Sequence, residues 1–129
     1  MSASLPRQWL EKASEDLVVA RLALKEGHIP HACLLSQQCV EKSLKAFLIH
    51  KSNSHPHIQN LIDLLERCKV YDNGFTAFLG LCEDIDDYYI STRYPMGSGA
   101  ASPKHAEADR AIKGAEDMLQ FVERRIAVP

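Results

Sequence analysis

The chain has 129 residues, enough for one hydrophobic core and too few for two. Hydrophobic residues make up 46% and charged residues 25%, which excludes a disordered tail protein. The net charge is −2, so no basic field surrounds the molecule, and any nucleic-acid contact must rest on a local cluster of cations.

In chain order, the pattern reads as about five helices with short connections. The first spans about Leu5 to Glu26, because Leu10, Ala13, Leu17, Ala20 and Leu24 recur at alternating steps of three and four. Ser4 reads as its N-cap, Pro6 sits in the first turn where a missing N–H does no harm, and Gly27 stops it. The second runs from near Pro30 to about His50, followed by a polar, proline-containing connection through His57. The third, about His57 to Lys69, presents Ile58, Leu61, Ile62, Leu65 and Cys68 on one side. Tyr71 to Gly74 is a turn, and a fourth helix carries Phe75, Phe78, Cys82, Ile85 and Tyr89. The segment Tyr94 to Ser102 holds a proline, two glycines and small residues. Ser102 then reads as the N-cap, and Pro103 as the first position, of a last helix displaying Ala108, Ala111, Ile112, Ala115, Met118, Leu119, Val122 and Ile126. An all-α, antiparallel up-and-down bundle in one domain, residues 1–129, is expected.

Cys33, Cys39, Cys68 and Cys82 form no C-x-x-C pair and each falls in an apolar helical pattern, so they read as buried free thiols. No apolar run approaches the ~20 residues that span a bilayer, and the N-terminus lacks the apolar core of a signal peptide. A reducing cytoplasm and no membrane partner are expected.

The second helix is the informative one. Gln38, Glu41, Lys42 and Lys45 fall within an arc of about 100°, while Cys33, Cys39, Val40, Leu44, Phe47 and Leu48 surround the rest of the wheel. A helix this apolar is buried on more than one face. Two readings of the stripe stand side by side: a helix-surface ion pair between Glu41 and Lys45, or a groove where Gln38, Lys42 and Lys45 meet a phosphate or a protein.

Ser36-Gln-Gln-Cys-Val-Glu-Lys-Ser-Leu-Lys-Ala46 resembles the second-helix signature of HEPN domains, the nucleotide-binding helical bundles of higher eukaryotes and prokaryotes. Trp9, Ala13, Asp16 and Leu17 resemble that family's first helix, and Gly27 to Ala32 its first connection. His57, Leu61 and Leu64-Leu65 are similar to its third-helix start, and Asp86 through Pro95 matches its Tyr-x-x-x-Arg-Tyr-Pro ending. The likeness covers roughly Trp9 to Val122. It implies a bundle that forms a two-fold homodimer and partners a small nucleotidyltransferase, often in toxin–antitoxin pairs. Many members are metal-independent endoribonucleases with Arg, four to six residues, then His. Here eleven residues separate Arg93 from His105, and the Arg21/His28 pair that fits the spacing lies at the end of the wrong helix. The fold transfers, and the nuclease signature does not.

Pro95 biases Tyr94 out of the helical region, leaving Arg93 at a helix end beside a glycine-rich loop. Its guanidinium binds a phosphate there, or satisfies the last carbonyls of its own helix, or pairs with Asp86 or Glu41. Tyr89, four residues earlier, shares that face and can bond a ligand or pack in the core. His105 can serve as a general base if the nine intervening loop residues bring it beside Arg93, a displaced nuclease pair. His50, His55 and His57 match no metal-ligand frame, and no metal or cofactor is expected. His57 reads instead as a helix start or cap. The carboxylates Glu83, Asp84, Asp86 and Asp87, with Glu107 and Asp109, read as solvated helix faces.

The leading expectation is a dimeric binding module that engages a nucleotide, an RNA or a nucleotidyltransferase through Gln38, Lys42, Lys45, Arg93 and Tyr94, with Glu41 and Tyr89 beside them. A ribonuclease toxin using Arg93 and a histidine, and a purely structural adaptor, are the rivals.

Overall fold

The computed structural model describes residues 4–54, 57, 60–86 and 103–127. Within them lie five α-helices: α1 (Leu5–Lys25), α2 (Ile29–Ser52), α3 (Leu61–Tyr71), α4 (Leu79–Ile85) and α5 (His105–Ala127). A 3-10 helix, Asn73–Phe78, joins α3 to α4, and no strand occurs among the described residues.

The first helix begins and ends as its sequence dictates. The Ser4 hydroxyl accepts from the Arg7 N–H at 3.4 Å, offsetting one orphan donor of the first turn. At the other end Gly27 adopts φ +85°. Its N–H reaches Leu24 O and the His28 N–H reaches Ala23 O, the paired closure that a left-handed residue permits. Only three residues, Glu26, Gly27 and His28, then separate α1 from α2, so the two helices run antiparallel and pack along their lengths. Asn53, at φ 55°, closes α2 through a bond from its N–H to Ile49 O.

α2 is the axis of the bundle. It touches α1, α3 and α5, and its second half is buried without interruption from Ser43 to Ile49. That burial explains why its apolar residues wrap the wheel rather than forming one stripe. α5 completes the layer by packing against α1 and α2, burying the eight apolar positions expected of it, from Ala108 to Ile126. α4 reaches α5 at Gly114, where the Leu81 side chain occupies the space a β-carbon would need.

Rings link the remaining elements. Phe47 of α2, Phe75 of the 3-10 helix and Phe121 of α5 meet edge to face, with centroids 4.6 and 4.8 Å apart. Phe78 joins Phe121 at 5.0 Å. Arg125 lies over the Phe121 ring and binds Asp72 at 2.6 Å, tying the end of α5 to the end of α3.

Three sequence expectations change. The third helix starts at Leu61, not His57: Asn60 caps it by accepting from the Asp63 N–H. His57 is therefore neither helical nor the cap. The run from Phe75 is not one α-helix, because Asp72 accepts from the Gly74 N–H and tightens the chain into a 3-10 turn before α4. The last helix begins at His105 rather than Pro103, with Lys104 O taking the Glu107 and Ala108 N–H groups. Ser102, offered as its cap, lies outside the described residues, as do His55, Ile58 and Asp87.

Candidate functional site

The polar stripe of α2 lies along its seam with α1. Positions Leu5, Trp9, Lys12 and Asp16 recur on α1 at steps of four, three and four, which turns one face of that helix toward α2. From the opposite side Lys42 reaches Asp16 at 2.5 Å. One turn on, Lys45 binds Glu41 at 2.9 Å, and its ammonium lies 5.8 Å from the centroid of the Trp9 ring.

Burial corrects the surface-pair reading. The side chains of Lys45 and Glu41 are only 7% and 16% exposed. A charge so placed is tolerated because it is paired and because an aromatic face lies beside it. Lys42 is more open, at 28%, and Asp16 beneath it is 16% exposed. Lys42 also lines a shallow groove of about 310 Å³ with Leu5, Gln8, Trp9 and Lys12. Gln38, one turn before Lys42, is half-buried on the same helix face.

The groove therefore offers an indole, an apolar rim and two ammonium groups, of which Lys12 holds only an exposed 3.7 Å pair with Glu15. Such a surface can stack a planar ring and bind an anion beside it. An anion at Lys42 has to compete with Asp16, whereas Lys45 is committed to Glu41 in the interior.

Tyr89, Arg93 and Tyr94 lie outside the described residues. The carboxylates offered as partners for Arg93 already have bonds. Asp86 accepts from the Leu61 N–H at 3.0 Å, tying the end of α4 to the start of α3, and Glu41 holds Lys45. His105 is exposed at the first position of α5. Near it, Asp84, Glu107 and Arg110 line a hollow of about 250 Å³ between α4 and α5, so two of the carboxylates read as plain solvated faces converge. Among the described residues, no group of three histidines, cysteines or carboxylates can hold a metal ion. Arg21 pairs with Glu116 of α5 and stays on α1, while His28 sits across the first connection against His31.

The four cysteines are free and buried. Burial pushes the Cys33 thiol up to about 11, with Glu107 adding to it, and pushes Cys39 and Cys82 to about 12, with Asp16 and Asp86 adding. Cys68 is raised further by burial. None is a nucleophile at neutral pH.

Sequence reasoning had no signal for the depth of Lys45 or for Lys12. It also gave no role to Gln37, which is 1% exposed and whose side-chain oxygen has no hydrogen-bond partner among the described residues. The periodicity of Trp9 and Asp16 on α1 was the available clue to the other wall of the seam.

The family model described as HEPN domain matches residues 6–125. The Methanocaldococcus jannaschii protein named "Putative toxin MJ1304" is 28% identical over 126 residues, covering 88% of this chain and 83% of that protein. The crystal structure of TT1696 from Thermus thermophilus superposes with a TM-score of 0.82 at 30% identity, covering 92% of this chain and 96% of that one. The crystal structure of ST0689, an archaeal HEPN homologue, gives 0.78 at 27% identity, covering 96% and 99%.

Proposed function

The chain belongs to the HEPN family, and from that premise we propose that it is the toxin-type member of a two-component pair, a dimeric module that binds a nucleotide or RNA at the α1–α2 seam. Its partner in this reading is a small nucleotidyltransferase. The likeness to a protein named as a toxin supports the two-component role. One observation carries the ligand reading: a groove of about 310 Å³ in which Lys42 and Lys12 flank the Trp9 ring.

In this arrangement a base stacks on Trp9 and a phosphate lies between the two ammonium groups, displacing Asp16 from Lys42. Gln38 offers an amide at the edge of the seam. Arg93 and Tyr94, with Tyr89, are assigned to the same ligand as a second set of contacts. Glu41 and Lys45, paired in the interior beside Trp9, do not touch the ligand in this reading.

Calorimetric titration with ATP and with a short single-stranded RNA, in EDTA, tests the assignment. Saturable binding of either, weakened about tenfold in Lys42→Ala as expected for one charge-assisted contact, supports it. Binding that is unchanged in Lys42→Ala, or absent for both ligands, contradicts it. Cleavage of the RNA in EDTA, abolished by His105→Ala, moves the chain to the ribonuclease alternative.

A further inference from the structure

The face of α1 that points away from the bundle carries three large apolar side chains on two successive turns. Val18 is 52% exposed, Val19 43% and Leu22 55%. Isolated apolar residues on a surface need no explanation, but a contiguous strip does. Glu11, Glu15, Val18, Leu22 and Lys25 recur at steps of four, three, four and three, and all five are exposed. At 100° per residue they fall within an arc of roughly 80° opposite the buried Leu10, Ala13, Leu17 and Ala20. A four-three repeat on an exposed face is the seam pattern of paired helices.

The order of residues on that strip specifies the occupant. Val18 and Leu22 lie two positions either side of Ala20, and Glu15 and Lys25 lie five positions either side. Turning a second α1 through a two-fold axis beside Ala20 sets Val18 against Leu22 of the other copy. The same operation sets Glu15 against Lys25, twice. A two-fold contact must be self-complementary, and this strip is so in the placement of its apolar residues and of its charges. Lys25 forms no ion pair within its own chain among the described residues. Beside the strip, a groove of about 450 Å³ walled by Val19, Leu22, Ala23 and Leu35 extends the apolar surface onto α2.

We infer that this face of α1 pairs antiparallel with α1 of a second copy, with Val18 and Leu22 at the centre and Glu15–Lys25 ion pairs at both ends. The inference rests on the proposed function only in expecting two copies; the face and its register come from α1 itself. The groove at Trp9 lies on a different side of α1 and stays open in the pair.

Light scattering coupled to size exclusion, run over a range of concentrations, provides the test. The wild type is expected at twice the chain mass of 14.4 kDa. Val18→Glu/Leu22→Glu is expected at the single-chain mass with its helical circular dichroism intact. Glu15→Lys alone and Lys25→Glu alone set like charges against each other and weaken association about tenfold. Combined in one chain, the two substitutions restore it, because each new lysine again faces a new glutamate. A monomeric wild type overturns the inference, as does a dimer indifferent to Val18→Glu/Leu22→Glu. A charge-swapped double variant no better than either single variant overturns the register. A wild type that is monomeric yet binds nucleotide removes this pairing and leaves the seam reading standing; a dimer that responds to these substitutions but binds no nucleotide does the reverse.

Discussion

The inner seam between α1 and α2 holds a lysine and a glutamate beneath a tryptophan, whereas the outer face of α1 shows valine and leucine to solvent. In each place the residue type is opposite to what its depth favours. Burying an ion pair costs desolvation that its attraction only offsets, and exposing an apolar strip forgoes burial worth about 25 cal/mol per Å². By contrast, α5 follows the ordinary rule, apolar inside and charged outside. The lesson is that one helix pair carries both departures, back to back, and those departures locate the two candidate contact surfaces.

The comparison breaks most visibly if the inner charges are not structural. Lys45→Met leaves Glu41 without its cation in a site 16% exposed, and is expected to cost about 3 kcal/mol in urea unfolding. Lys45→Met/Glu41→Leu recovers most of that loss, since both charges then go together. A loss under about 1 kcal/mol in the single variant would place the pair with ordinary solvated ones.

A shallower ion pair sharpens the point. Asp72 and Arg125 are about one-third exposed, at 30% and 31%, so Asp72→Asn is expected to cost about 1 kcal/mol at neutral pH. The hydrogen bond from Arg125, and then that from the Gly74 N–H, hold the Asp72 carboxyl below the usual carboxylate range. Its folded value is lowered, so its contribution is complete above about pH 4 and is lost as pH falls through the folded value. The stability gap between wild type and Asp72→Asn should therefore close on acidification. A gap that persists at the acid end would assign the loss to packing rather than charge.

The smallest effect belongs to the outer face. At dilutions where chains are separate, Val18→Glu/Leu22→Glu should change unfolding free energy by less than about 0.5 kcal/mol, as for substitutions on open surface. A larger loss would show that Val18 and Leu22 hold α1 to its own bundle.

Most of the architecture was legible in the sequence because repeated apolar steps encode which way a helix faces. The ends of α1 were readable from Ser4 and Gly27, whose chemistry acts locally. The start of α3 was not, since His57 and Asn60 both fit a helix entrance and only the bond from the Asp63 N–H to Asn60 decides between them. The 3-10 turn was hidden for a similar reason: Phe75 and Phe78 keep helical spacing while the Asp72 side chain captures the Gly74 N–H. The site was half legible. Gln38, Glu41, Lys42 and Lys45 share a stripe by arithmetic, but a helical wheel has no depth, so it placed Lys45 beside Lys42 rather than beneath Trp9. Asp16, 26 residues from Lys42, becomes its partner only once α1 folds back on α2.

Trp9 is the single tryptophan of the chain, so its fluorescence, excited beyond the tyrosine absorption, reports on the seam alone. Titrating the protein with ATP and with a short single-stranded RNA should quench that emission saturably as a base stacks on the indole, with the midpoint moved to higher concentration in Lys42→Ala. Emission that stays constant through both titrations would contradict a nucleotide site between α1 and α2.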